Sequence, residues 1–170
     1  MKYAGGPDDR IGVWMTFATR SADNLTSKNE NIYFAWIDNL DGVPTAAQVD
    51  GTPITLPLKK TNMELIVDSG ADALGNFGGA DVDQDGNPHS IWALPASYAV
   101  DVPPGFQAII DAHPDATQFM HIYYDGADWH VVPFTANNAE PETSSSQGAT
   151  YDAGTGTWTW GGAYSGGIKP

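Results

Sequence analysis

Thr150-Tyr151-Asp152-Ala153-Gly154-Thr155-Gly156-Thr157-Trp158 holds Ser/Thr, Asp, Gly, Thr/Trp and Trp at the five constrained positions of a nine-residue turn pattern. The physics of that spacing favours a hairpin. Asp152 can accept backbone N–H groups of its own turn, Gly154 can take the positive φ that other residues resist, and Trp158 can lie over the turn. Such a turn organises strands and catalyses nothing, so its information is architectural.

Two more segments share this sense. Tyr123-Tyr124-Asp125-Gly126-Ala127-Asp128-Trp129 sets an Asp-Gly turn between apolar runs and closes on Trp. Asp83-Gln84-Asp85-Gly86-Asn87-Pro88-His89-Ser90-Ile91-Trp92 joins strand to strand through Asp-Gly-Asn-Pro and again reaches Trp. Three Asp/Gly-centred hairpins, each followed by Trp, indicate repetition of one supersecondary unit. The rest of the chain agrees: 19 Gly and 12 Pro punctuate β-branched and aromatic runs about every ten residues, the spacing of an all-β fold. Strands are predicted at 11–18, 31–37, 54–57, 63–67, 78–82, 89–94, 118–124, 129–134, 150–152 and 157–161. Residues 32–37, Ile-Tyr-Phe-Ala-Trp-Ile, are apolar on both faces, as in a sheet covered on two sides. The proline-rich stretch 98–115 reads as a short helix or an inserted loop on a functional face, and 137–148 as a polar surface connection.

The turn at 150–158 resembles the Asp box of bacterial neuraminidase (BNR) repeat β-propellers. Val82-Asp83-Gln84-Asp85-Gly86-Asn87-Pro88-His89 resembles the strand-turn-strand of the BNR-4 family, continued by His121-Ile122-Tyr123-Tyr124-Asp125-Gly126 and Trp129-His130-Val131. The resemblance covers about residues 75–160 and implies an all-β fold of antiparallel four-stranded blades. A closed ring of six or seven blades, at about 40 to 50 residues each, needs considerably more chain. The 170 residues are therefore expected to hold an incomplete set of about three blade-like units (8–70, 75–135 and 148–170), a fragment of a longer chain.

Polysaccharide lyases, ulvan lyases among them, are similar propellers in which His, Tyr and Arg side chains neutralise a uronate carboxylate and move protons during β-elimination. The resemblance thus implies a carbohydrate-active segment of a lyase on uronate-containing glycans, the alternative being a non-catalytic carbohydrate- or calcium-binding module. It also suggests a secreted or periplasmic protein, although the first residues, Met1-Lys2-Tyr3-Ala4-Gly5-Gly6-Pro7, lack the apolar run of a signal peptide.

Strand alternation places His121 and Tyr123 on one face and Ile122 and Tyr124 on the other. His121 and Tyr123, with His89 after its turn and Arg20 as a guanidinium clamp for a carboxylate, are the candidate catalytic residues; Arg10 is the other guanidinium. Trp92, Trp129 and Tyr124 are candidates for a sugar platform, since pyranose C–H faces stack on aromatic rings. Asp81-Val82-Asp83-Gln84-Asp85-Gly86 has the alternate-carboxylate spacing of many calcium loops, making Asp81, Asp83 and Asp85 candidate Ca²⁺ ligands. An EF-hand is excluded by Trp92 at the twelfth position. The preceding Phe77-Gly78-Gly79-Ala80 resembles an FG-GAP repeat, a pattern that has Asp where His89 stands. Thr150, Asp152, Gly154 and Trp158 are assigned to structure.

Composition narrows the partners. With 21 acidic against 7 basic residues the formal charge is −14, which disfavours nucleic acid and equally suits a salt-adapted surface. No apolar stretch reaches transmembrane length, so a membrane is not expected as a partner; the polysaccharide or oligosaccharide partner is what the family resemblance implies. There is no cysteine, hence no disulfide or thiol chemistry. Neither a phosphate-binding loop nor a Gly-x-Ser-x-Gly elbow occurs.

Overall fold

The computed structural model describes residues 2–5, 10–20, 27–70, 76–103, 105–133, 149–152 and 157–160. Strands β1 (Lys2–Gly5), β2 (Ile11–Arg20), β3 (Ser27–Asp38), β4 (Thr45–Ala47), β5 (Pro53–Ile54) and β6 (Glu64–Val67) form an antiparallel sheet in the order β1-β2-β3-β4-β5, with β6 also paired to β3. Strands β7 (Asn76–Val82), β8 (Pro88–Pro95), β9 (Thr117–Tyr124) and β10 (Trp129–Pro133) form a four-stranded antiparallel meander. A hairpin of β11 (Ala149–Asp152) and β12 (Thr157–Trp160) follows. Among the described residues the fold is all-β apart from a short 3₁₀ turn, Ala96–Tyr98, and one helix, α1 (Phe106–Ala112). Among the described residues no sheet closes into a barrel, and no helix is long and apolar enough to cross a membrane.

The expected strands appear with shifted ends. That predicted over 54–57 shrinks to Pro53–Ile54, because Pro57 has no N–H to give a ladder. The short strands β1 and β4 have too few residues for period-2 alternation to show.

The two main sheets face each other across one core. Trp14, Ile32, Phe34, Trp36 and Val67 of the first meet Trp92, Leu94, Met120, Ile122 and Val131 of the second. Phe34, with no exposed surface, takes the edges of Trp14 (5.0 Å), Trp36 (5.0 Å) and Trp129 (5.5 Å) around it, the arrangement ring quadrupoles favour. Gly12 makes room for this cluster, since a Cβ there would lie 3.2 Å from both the Phe34 and Trp36 rings. On the opposite face of β3, Tyr33 and Ala35 pack with Ala46, Ile54 and Met63. Burial on both sides accounts for the unbroken apolar run at 32–37. A polar tie joins the sheets at the core's edge: Trp129 Nε1 donates to Glu64 Oε1 at 2.8 Å, and Glu64 Oε2 accepts from Val49 N–H at 2.8 Å.

Phe34→Ala should therefore lower the unfolding free energy by about 3–5 kcal/mol in urea denaturation, the cost of an aromatic-sized cavity. Leu65→Ala, at a side chain 46% exposed, should change it by less than about 0.5 kcal/mol. Similar losses at both sites would mean that the aromatic cluster is not the centre of the core.

Candidate functional site: a histidine–tyrosine row across the four-stranded sheet

The hairpin between β7 and β8 is built on Asp83. Its Oδ1 accepts the backbone N–H groups of Asp85 (2.9 Å) and Asn87 (2.8 Å), and its Oδ2 accepts from Asn87 Nδ2 (3.0 Å). Gly86 supplies the positive φ of 86°. Asp125 builds the hairpin between β9 and β10 in the same way: Oδ1 accepts from Ala127 and Asp128 N–H, both at 2.8 Å, and Gly126 has a φ of 98°. In each hairpin Oδ2 also meets an imidazole of the following strand. Asp83 Oδ2 lies 3.4 Å from His89 Nε2, and Asp125 Oδ2 lies 3.0 Å from His130 Nε2.

Register then assembles a row across the whole sheet. Asp81 on β7 is opposite His89 on β8, His89 is opposite Tyr123 on β9, and Tyr123 is opposite His130 on β10. Directly opposed residues share a face of the pleat. The Tyr123 ring is consequently stacked between His89 (5.5 Å between centroids, 13° between planes) and His130 (4.7 Å, 17°). His121, two residues earlier on β9, stacks on Tyr123 at 4.7 Å, and its Nε2 lies 2.9 Å from His89 Nδ1.

The connection between β8 and β9 completes the site. Phe106 at the start of α1 is fully buried in the core and anchors this segment, while Val100 and Asp101 both donate N–H to the Val131 carbonyl (2.9 and 3.3 Å). Asp101 is thereby held beside β10, its Oδ2 2.7 Å from His130 Nδ1.

Proton states differ sharply along the row. Burial, with a smaller contribution from His89, pushes the His121 imidazole down to about 3. Burial also lowers His89, overriding the opposing pull of Asp83. His130 is raised, chiefly by its hydrogen bond to Asp101 and then, against some burial, by Asp125. Asp125 falls to about 2 because Asp128 and Ala127 N–H groups and then His130 bond its carboxylate. Asp83 is lowered: burial opposes ionisation, but hydrogen bonds from Asn87, His89 and Asp85 outweigh it. Tyr123 is raised by burial and then by Asp101 and Asp125, so its phenol keeps its proton.

His89, His121 and Tyr123, expected from sequence, are thus gathered on one face of one sheet. The side chain of Arg20 lies outside the described residues, and Arg10 is engaged elsewhere, 2.8 Å from Asp38 and over the Trp36 ring. The aromatic platform differs from expectation. Trp92 is a core residue, 3% exposed, and offers no face to a sugar. Trp129 packs on Trp14 and Phe34, and Tyr124 stands opposite it in register, so both lie on the sheet face away from His121 and Tyr123. The three candidate calcium ligands are placed as follows. Asp83 is committed to its turn and to His89, Asp81 Oδ1 caps Val82 N–H, and no three His, Cys, Asp or Glu among the described residues gather into a set that could hold a metal. Of the Asp-box residues, Gly154 lies outside the described residues, as do the side chains of Thr150, Asp152 and Trp158; β11 and β12 pair with Asp152 opposite Thr157.

His130, Asp125 and Asp101 were not among the candidates. His130 was legible in principle, because a tight turn at Asp125-Gly126 pairs 130 with 123. Asp101 had no local signal, since a loop delivers it.

No protein-family model matches the chain, and no curated protein does at a significant level. Among solved structures, it is similar to an ulvan lyase of polysaccharide lyase family PL25, bound to GlcA(1-4)Rha3S, with a TM-score of 0.53 at 16% identity over 76% of this chain. A second PL25 ulvan lyase structure aligns with a TM-score of 0.44 at 14% identity, over 77% of this chain and 32% of its own. The chain spans 28% of the first structure's length. The likeness is one of fold: this chain folds like part of a polysaccharide lyase.

Two measurements check the electrostatics. In an NMR titration the His121 imidazole should stay neutral down to about pH 3, while His130 should gain its proton above 6.5. The linkage signs are opposite. His121 and His89 refuse a proton that the unfolded chain takes at 6.5, so their share of stability falls as pH drops below that value; His130 contributes fully below 6.5 and loses its share as pH rises through its raised value. A His121 that titrates near 6.5 would contradict the buried pair. Calcium should leave the melting temperature unchanged, because the three aspartates do not converge; a saturable rise would reinstate the ion.

Proposed function

We propose that the chain is a segment of a carbohydrate-active β-propeller, the meander 76–133 being one blade, and that it belongs to a lyase cleaving uronate-containing polysaccharide by β-elimination. The observation that carries this reading is the stack of a neutral His121 and a proton-bearing Tyr123, 4.7 Å apart on one sheet face. The fold likeness to an ulvan lyase supports it by analogy.

β-Elimination from a uronate requires a base for the C5 proton, an acid for the leaving O4 and a positive group near the carboxylate. His121, unprotonated at neutral pH, suits the base; its low proton affinity is raised when a uronate carboxylate settles beside it. Tyr123 suits the acid, because its raised value keeps the phenol proton available. His130, drawn toward the imidazolium by two carboxylates, is the positive group in the row, and Arg20 remains the candidate carboxylate clamp. A strongly acidic chain meets a polyanion only through such a local patch.

Incubation with uronate-containing polysaccharides should produce the ultraviolet absorbance of a conjugated 4,5-unsaturated uronate. Tyr123→Phe and His121→Asn should each lower kcat about 10²- to 10⁴-fold with little change in KM, as expected for groups acting in proton transfer. Saturable glycan binding without absorbance would make the protein a binding module instead.

A further inference from the structure

Both nitrogens of His130 meet carboxylates: Nδ1 lies 2.7 Å from Asp101 Oδ2, and Nε2 lies 3.0 Å from Asp125 Oδ2. An ionised carboxylate can only accept, so both nitrogens donate and the ring is an imidazolium. Two carboxylates around one cation leave a negative charge in excess, and a third anion would join them only against repulsion. The two carboxylates are held unequally. Asp125 Oδ1 accepts the N–H groups of Ala127 and Asp128, both at 2.8 Å, so Asp125 cannot rotate away from His130 without breaking its own turn. Among the described residues the Asp101 carboxylate bonds His130 alone, and its side chain is 46% exposed. The backbone beneath it is fixed all the same. Val100 and Asp101 N–H groups share the Val131 carbonyl, and Ala99 and Val102 pack against the core on either side. The Asp101 side chain can therefore leave Nδ1 by turning about its own bonds, with no movement of the connection.

We propose that Asp101 stands in for a substrate carboxylate: an acidic sugar enters the site by taking His130 Nδ1 from Asp101, which turns out into solvent. The inference deepens the lyase reading, from which it takes only that the ligand is a uronate. Exchange leaves the local charge unaltered, because one carboxylate replaces another of the same geometry and the same charge-assisted bond. The Tyr123 ring is stacked on His130 at 4.7 Å, so a carboxylate bound at Nδ1 holds its sugar beside the proposed acid.

The same contact sets selectivity. A neutral sugar has no anion to put in the place of Asp101, and displacing the carboxylate would cost it the charge-assisted bond without return. Asp101 is thus a specificity-determining residue that yields to carboxylates and resists neutral glycans. The competition is mild. An ion pair this exposed favours its closed form only a few-fold, so Asp101 should weaken the apparent affinity for a uronate by about two- to sixfold.

Binding of a glucuronate oligosaccharide, measured below pH 6.5 so that the imidazolium persists, tests this. Asp101→Ala should bind it about two- to sixfold more tightly than the unaltered protein does, and the methyl-esterified oligosaccharide should show no such gain. Asp128→Asn, exposed in the hairpin that leads to His130, removes the same charge from the neighbourhood and should gain less than about twofold. In the unaltered protein, saturating oligosaccharide should move the ¹³C resonance of the Asp101 carboxyl to that of a solvated aspartate while His130 keeps both N–H protons. That measurement decides the matter even where Asp101→Ala does not fold. An Asp101 resonance that stays put at saturation overturns the proposal, as does the absence of saturable binding. Equal gains in Asp101→Ala and Asp128→Asn overturn it too, since they would reduce the effect to net charge, and so does weaker binding by a folded Asp101→Ala. The expected binding together with no unsaturated product from uronate polysaccharide would overturn the lyase reading while upholding the exchange at His130.

Discussion

The site depends on a carboxylate that does two things at once. Asp83 and Asp125 each spend one oxygen on the N–H groups of a tight turn and turn the other toward Nε2 of a histidine on the next strand. The same device gives opposite results because the far nitrogen of each imidazole meets a different neighbour. His130 Nδ1 meets the Asp101 carboxylate, so both nitrogens are asked to donate and the cation is favoured. His89 Nδ1 meets another imidazole in a buried setting, where desolvation keeps both rings neutral. Tyr123 lies between them, stacked on a neutral ring on one side and on a more positive one on the other.

This row exists only while the strands keep their register, and the opposite face of the sheet enforces that. Met120 and Ile122 of β9, Trp92 and Leu94 of β8 and Val131 of β10 are buried against the first sheet. A slip of one residue on β9 would bring His121 and Tyr123 into the core and expose Met120 and Ile122. The apolar burial lost, at about 25 cal/mol per Å², far exceeds anything the polar row could recover. The row can therefore carry polar, even frustrated, contacts: the core has already decided where each strand sits. Within the four-stranded sheet the register shift lies in β7, between Phe77 and Gly79, ahead of the Asp81 end of the row.

Much of this was legible in the sequence. Alternation separates His121 and Tyr123 from Ile122 and Tyr124, and the Asp-Gly turns mark two of the hairpins that align β7 with β8 and β9 with β10. The two-sided run at 32–37 marks a strand buried on both faces, as β3 is. What escaped was non-local or overloaded with meaning. Asp101 comes to His130 along a loop whose position is set by Phe106 in the core and by the Val131 carbonyl. The string Asp81-Val82-Asp83-Gln84-Asp85-Gly86 reads as an ion loop, yet the N–H groups of its own turn supply the positive charge density that Asp83 needs. Trp92 could have been assigned to core, since it alternates with Ile91 on a strand buried along almost its whole length.

The acidity of the chain also looks different at this scale. A formal charge of −14 acts on a distant polyanion, but at physiological ionic strength it is screened over about 8 Å. Within that distance the two turn carboxylates are already answered: Asp125 by two N–H groups and His130, and Asp83 by two N–H groups, the Asn87 amide and His89. A carboxylate bonded in this way offers an approaching anion less repulsion than a solvated one, because its lone pairs are occupied by fixed donors. What an incoming uronate would meet between Asp81 at one end of the row and the His130-bonded Asp101 at the other is a stack of neutral and positively inclined rings, with the carboxylates of Asp83 and Asp125 held by their hairpins. Using turn aspartates to orient histidines thus eases the approach of a proposed acidic substrate to an acidic protein, since two of the three carboxylates that bond the imidazoles, Asp83 and Asp125, are already bonded by backbone N–H groups.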